Sequence, residues 1–554
     1  MRGLHCDRIV LGTAFAFLLA SALGAMAQEV DQPAKVAAVP VEAPASQPPQ
    51  APSAATNKAV LPSLDAADRA IAEKIRELLA GGSDKIFSAS EERQKVEAFY
   101  QKRQFAPLWL DKAVENARKA SVANRLDHAD ADGLNVADYG IPSFAGSGPD
   151  ALAEAELKLT QAVLTYARHL QAGRFFRHQI KYEIGLPQAA PDPEEVLRKL
   201  AEAADPGAAL DEFSPQNEPY RRLKAMLAKR RGQRANDLPA TENLDARTVR
   251  KLNGGGPDRT IDTIIANMER WRWYPRDLGE AHVLVNLPDF TLKMMHKGAQ
   301  IWSSRIVIGE PSKPTPLLSE RMTSITLNPV WHVPPSIVQR EYLPALARDR
   351  NVLARMGLRL SYNGGEPQIT MAAGGNNPLG HIRFNFYNRF TVFQHDTPDQ
   401  YMFGHAVRAE SHGCMRVEHA AKYAELLFNL GRPNEHWTAE KVKSTYGSPE
   451  QELVLEPGTV WLHLTYQTAF VDDDGKLQIR RDLYNIDRRT LAALKHDPVV
   501  AGPAPAAKHE WEMPSPSRHR RTAHHSQSTD PLQSPFLSEP SNARPRPARR
   551  AFSW

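Results

Sequence analysis

The hydrophobic period of this chain changes near residue 281, and that change decides what it can fold into. Before it, apolar residues recur at helical spacing. In LDAADRAIAEKIRELLAGG they fall at Ile71, Ile75, Leu78 and Leu79 and stop at Gly81-Gly82. In ALAEAELKLTQAVLTYARHLQAG they fall at Leu152, Leu159, Val163, Tyr166 and Leu170 and stop at Gly173. Shorter helices are predicted over 194–203 and 219–231. After the change the apolar residues alternate: Val283, Val285 and Leu287, a turn at Pro288-Asp289, then Leu292 and Met294. AQIWSSRIVIGEP, MTSITLNPVWHVP and RFTVFQHD read as further strands. TVWLHLTYQTAFVDDDGKLQIRRDLYN reads as two more about Asp474-Gly475. The expectation is an α+β chain: a helical domain over 63–250, then a mainly antiparallel β-domain over 255–485. Two helical stretches interrupt the β pattern. One lies near 336–357 (SIVQREYLPALARDRNVLARMG) and the other is EHAAKYAELLFNLG.

The ends read differently. Arg2 and Arg8 precede an apolar run that closes at Ala25-Met26-Ala27, a small-residue cleavage pattern, so 1–27 is read as a signal peptide. Residues 28–62 are Pro/Ala/Gln-rich, with almost nothing bulky to bury, and read as an extended linker. Residues 500–554 read as a disordered basic tail. No later segment is long and apolar enough to span a bilayer. The mature chain is expected to be exported to the periplasm or cell envelope, with no transmembrane span once the leader is removed. The net charge of +5 suits an anionic polymer as neighbour. No nucleic-acid partner is expected.

Export makes the cysteines informative. There are two, and Cys6 leaves with the leader. Cys414 remains alone, and an odd cysteine in an exported protein is a candidate reactive thiol. It lies in VFQHDTPDQYMFGHAVRAESHGCMRV, with Gly413 before it and Arg416 after it, which is no apolar core strand. A thiol attacks as thiolate, and an imidazole within reach supplies the base and later returns the proton. His395 closes a predicted strand 19 residues upstream (414 − 395) and is weighted first as that base, above His412, with His405 a further competitor. A helix N-terminus just past Cys414 is expected to lower the thiol pKa, and Gly413 to let backbone N–H groups approach a reacting carbon. Four zinc ligands, His395, His405, His412 and Cys414, are the rival. Their spacing lacks the short knuckles of structural zinc sites, so no metal and no cofactor is expected.

HDTP…SHGCMRV resembles the active-site signature of the L,D-transpeptidases, exported cysteine enzymes with a YkuD-type catalytic domain that cross-link bacterial peptidoglycan. NMERWRWYPRDLGEAHVLVNLPDFTL, VIGEPSKPTPLLSERMTSITLNPVWHVPPSI and NPLGHIRFNFYNRFTVFQHDTP resemble the larger, YcbB-like members, and RQFAPLWLD and ADADGLNVADYG resemble their helical scaffold domain. The resemblance spans roughly 90–480. It implies Cys414 as nucleophile and His395 as general base, with the backbone carbonyl of Asp396 orienting the imidazole. His412, Gly413 and Arg416 match supporting positions of the signature, and 336–357 matches a substrate-capping insertion. It also implies peptidoglycan stem peptides as partners and 3→3 cross-links as product. An L,D-carboxypeptidase or a lipoprotein-anchoring transpeptidase would share the fold and the acyl-enzyme. An inactive wall-binding protein is the alternative from another class. The chain departs from the large group in one respect: LAKRRGQRANDLPATE runs almost directly into NLDARTVRKLN, leaving little room for a separate peptidoglycan-binding module.

Overall fold

The computed structural model describes residues 64–82, 86–110, 115–145, 148–235 and 259–495. The predicted leader, the linker, Cys6 and the basic tail lie outside the described residues.

The helical half forms because its apolar stripes have one another to bury. Helix Ala66–Glu77 starts where the Asp65 carboxylate accepts the Asp68 N–H at 2.8 Å, and its Ile71 and Ile75 are buried. Helix Pro149–Ala172, with proline at its first position, runs to Gly173 and buries Leu159, Val163, Tyr166 and Leu170. Helix Pro193–Glu202 repeats the device, with Asp192 capping the Glu194 and Glu195 amides. With Ser90–Lys102, these helices share one core that also takes in Leu210 and Phe213.

A second, larger core takes in the β-rich half, and it also reaches back across the chain. Phe175, Ile180, Ile184, Leu186, Tyr220, Leu223 and Leu227 belong to it. Ile184–Gly185 pairs in parallel with Leu317–Leu318, so the helical half contributes the edge of the main sheet. Helix Glu218–Ala235 packs against Thr260–Trp271. The seam between the cores is polar and closed. Buried Glu269 accepts the Arg174 N–H at 2.7 Å and pairs with Arg272 at 2.9 Å. The Arg272 guanidinium also donates to the Tyr220 hydroxyl and to the carbonyl of buried Asp132.

Among the described residues the main sheet has 12 strands. Strand Ala299–Gly309 joins its two halves. Its start pairs antiparallel with Thr291–His296, and its end, at Ile306 and Val307, pairs with Met415–Val417. Its burial follows: exposed at the start, fully buried at the end. From there the order runs Met415–Val417, Gln394–His395, Ile382–Asn385, Ser324–Leu327. Most pairings are antiparallel, but Gln394–His395 runs parallel to Met415–Val417, and Trp461–Thr465 runs parallel to Ala281–Asn286.

The insertion is larger than its helical stretch. Short helical turns between Pro335 and Arg355 lie against a separate three-stranded sheet of Trp331–His332, Leu358–Asn363 and Glu366–Met371. Trp331, Val338, Tyr342, Leu353, Leu358 and Ile369 form a small core of its own.

Candidate active site

The parallel pair Gln394–His395 and Met415–Val417 builds the site. Gln394 opposes Met415 and His395 opposes Arg416, and the Met415 N–H donates to the Phe393 carbonyl at 3.1 Å. Side chains alternate along each strand. Gln394 and Met415 therefore point into the core, while Phe393, His395, Cys414 and Arg416 share the other face. Next along, Arg383 pairs with His395 from the strand Ile382–Asn385. His395 thus sits in a row between two guanidiniums, on three adjacent strands.

Burial, with this row, sets the protonation states. Burial, then the charge of Arg416 and more weakly that of Arg383, pushes the His395 pKa down to about 3, against smaller opposing effects from the backbone of Asp396 and Pro378. The imidazole is neutral. Its Nδ1 lies 2.5 Å from the Asp396 carbonyl oxygen, so Nδ1 carries the proton and Nε2 is left as the base. Burial also pushes the Cys414 thiol up to about 11, against smaller opposing effects from Phe393, Arg416 and Arg383. The resting pair is therefore thiol and neutral imidazole. No thiol–imidazole hydrogen bond is formed among the described residues, because the ladder sets Cys414 beside Phe393, one step from His395. Such contacts commonly tighten only when substrate is bound.

Residues singled out in the sequence separate clearly. Asp396 turns its carboxylate away, to accept the His381 N–H at 2.9 Å. Gly413 has φ +111°, a conformation that disfavours a side chain, and its N–H donates to the Ser411 hydroxyl at 3.1 Å. Arg416 is buried against the Met402 sulfur. His412 is not at the thiol. Its Nε2 contacts the Lys313 ammonium and the Glu341 carboxylate, the latter at 2.9 Å, and Glu341 belongs to the helical insertion between Pro335 and Arg355. His405 pairs with Glu410 at 2.6 Å. The four candidate zinc ligands do not converge, and no group of three metal-ligating side chains occurs among the described residues.

One expectation is corrected. The residues after Cys414 form a strand, Met415–Val417, and the helix begins only at Ala420. No helix N-terminus abuts the sulfur, and a helix dipole acts only within about a turn. Its pairing with Val307 and Ile306 extends this segment, whose three residues are all buried. Sequence reading also passed over Arg383, Thr315, Lys313 and Glu341. Arg383 had a signal: it lies between Ile382 and Phe384 in an alternating run, on the face opposite them.

Residues 280–432 match the L,D-transpeptidase catalytic domain (YkuD), and residues 94–227 match the scaffold domain. The chain therefore carries both parts of the YcbB-like architecture, a scaffold domain followed by an L,D-transpeptidase catalytic domain. A Haemophilus influenzae protein named "Putative L,D-transpeptidase" is 24% identical over 426 residues, covering 72% of this chain and 80% of that protein. An L,D-transpeptidase structure from Mycobacterium smegmatis aligns at 11% identity over 34% of this chain and 59% of that one, with a TM-score of 0.18. L,D-transpeptidase 3 from Mycobacterium tuberculosis, in complex with a faropenem-derived adduct, aligns at 12% identity over 25% and 52%, with a TM-score of 0.16. The chain therefore spans less than two thirds of each of these two structures.

Proposed function

We propose that this protein forms 3→3 peptidoglycan cross-links through a Cys414 acyl-enzyme. The supporting observation is the shared face of Cys414 and His395 on adjacent parallel strands, with the imidazole held in the base tautomer by the Asp396 carbonyl. Because thiol and imidazole are both neutral at rest, proton transfer accompanies attack and does not precede it. The sulfur bonds to the carbonyl carbon of the third residue of a stem tetrapeptide as His395 Nε2 takes the thiol proton. The carbonyl π pair moves to oxygen. When it returns, the C–N bond to the terminal D-Ala breaks, and the leaving amine takes the proton from His395. The amine of a neighbouring stem then attacks the thioester and gives its proton to His395. The C–S bond breaks and the sulfur regains that proton.

Arg383 and Arg416 add positive charge along this face, which suits the carboxylates of stem peptides. The leader pattern at Ala25-Met26-Ala27 supports a cell-envelope location for this activity.

The test is to incubate the mature chain with disaccharide-tetrapeptides and size the products. Cross-linked dimers and free D-Ala are expected. Tripeptide alone would assign water as acceptor and make the enzyme a carboxypeptidase. Unchanged substrate would overturn the proposal.

A further inference from the structure

The peptide bond that precedes the thiol is gripped from beneath by a residue nearly a hundred positions away. Thr315 is fully buried. Its hydroxyl donates to the Gly413 carbonyl oxygen at 2.9 Å and accepts the Gly309 N–H at 2.9 Å. The loop between these two residues lies tightly on the Cys414 turn. The Glu310 N–H donates to the Ser411 carbonyl at 2.9 Å. A Cβ at Gly309 would lie 2.2 Å from the Lys313 carbonyl oxygen and 3.0 Å from the Gly413 Cα, so only glycine fits there. Two tyrosines support the loop from behind. Tyr182, from the helical half, donates to the Thr315 carbonyl at 2.5 Å, and Tyr484 donates to the Gly309 carbonyl.

In a trans peptide the C=O and the following N–H point in opposite directions. Anchoring the Gly413 carbonyl on Thr315 therefore aims the Cys414 N–H away from the loop. The other nearby amide is already used, since the Gly413 N–H donates to Ser411. The Cys414 N–H has no acceptor among the described residues. A donor held without an acceptor beside a nucleophile is what a developing oxyanion needs.

We infer that Thr315 is a positioning residue for acyl transfer: its hydroxyl fixes the Gly413–Cys414 peptide so that the Cys414 N–H donates to the oxyanion formed at the substrate carbonyl. This rests on the proposed acylation of Cys414. In that step the sulfur–carbon bond forms, the π pair moves to oxygen and is held by the Cys414 N–H, and its return expels the leaving group with the proton from His395.

Three probes read this on the full chain. A carbapenem and p-nitrophenyl acetate both acylate through an oxyanion, whereas iodoacetamide alkylates sulfur by displacement and forms none. Thr315→Val keeps the shape and removes the hydroxyl. Loss of an oxyanion donor costs about 10²–10³-fold in rate, and a misaimed donor should cost roughly 10–100-fold. The expected result is a fall of that size in both acylation rate constants, with carbapenem affinity before acylation and the iodoacetamide rate within about twofold of the parent. Thr315→Ser should restore acylation. If valine slows all three reagents alike, Thr315 merely supports the turn, and the inference is overturned. Unchanged acylation overturns it too. Should the valine variant fail to fold, Thr315→Ala with the same probes decides. If the parent takes up p-nitrophenyl acetate but no carbapenem, the transpeptidase reading fails, and Thr315 is still judged on the ester.

Discussion

The Nδ1 of His395 lies 2.5 Å from the carbonyl oxygen of Asp396, the next residue in the chain. A backbone acceptor so close cannot drift away from the ring it orients. The side chain of Asp396 is free to vary in this role, because only its carbonyl is used.

The burial of a neutral His395 should make stability depend on pH. Its pKa is about 3 in the folded protein against 6.5 as the ordinary value. Between these pH values the unfolded chain binds a proton that the native state refuses. Stability is therefore lost as pH falls from about 6.5 towards about 3, by up to roughly 1.4 kcal/mol per unit from this group. Denaturant titrations at pH 6.5 and 4.5 should show a steeper loss for the parent than for His395→Gln. Equal slopes would show that the imidazole is not held neutral.

The thiol should be slow to react at neutral pH in the absence of substrate. Burial pushes Cys414 up from 9.0 to about 11, so a free thiolate is scarce near pH 7. With Cys6 replaced by serine, iodoacetamide alkylation should climb steadily to beyond pH 9. A plateau already reached by pH 7 would indicate a preformed thiolate–imidazolium pair and refute the neutral pair.

Cys414→Ala should abolish both product formation and the mass adduct left by a carbapenem. The protein should stay folded, because Cys414 is partly exposed as a residue and removing its sulfur opens only a small space. Intact mass spectrometry with a thermal melt checks both. An adduct on the alanine variant would place the chemistry elsewhere in the chain.

Glu341 ties the helical insertion to the cysteine motif through His412 and Lys313. Glu341→Ala leaves the small core around Trp331 and Tyr342 intact but removes that tie. If the insertion keeps water from the thioester, the ratio of tripeptide to cross-linked dimer should rise several-fold, with carbapenem acylation within about twofold of the parent. An unchanged ratio would reduce the insertion to packing.

Much was legible without coordinates, because it depends on local chemistry. The period change near residue 281 marks the start of the β-rich half, with strand Ala281–Asn286 where alternation begins. Cys414, the one cysteine outside the predicted leader, set between Gly413 and Arg416, pointed to a candidate reactive thiol, and the run ending in His395 formed a strand. What depends on contacts between distant residues was not legible. Alternation says that a strand has two faces, but not which strand lies beside it. It could not reveal that Gln394–His395 runs parallel to Met415–Val417, or that Arg383 joins the row from the other side. The helix expected beside Cys414 failed for the same reason: pairing with Val307 and Ile306 extended residues that local spacing had assigned to a turn. The hold of Thr315 on Gly413 spans 98 residues and exists only once the chain has closed on itself. Sequence by itself determined the candidate residues and the change of hydrophobic period, because side-chain chemistry and hydrophobic period are local. Tertiary structure alone decided their charge states and partners, because burial, fields and ladder register are set by residues far away in the chain.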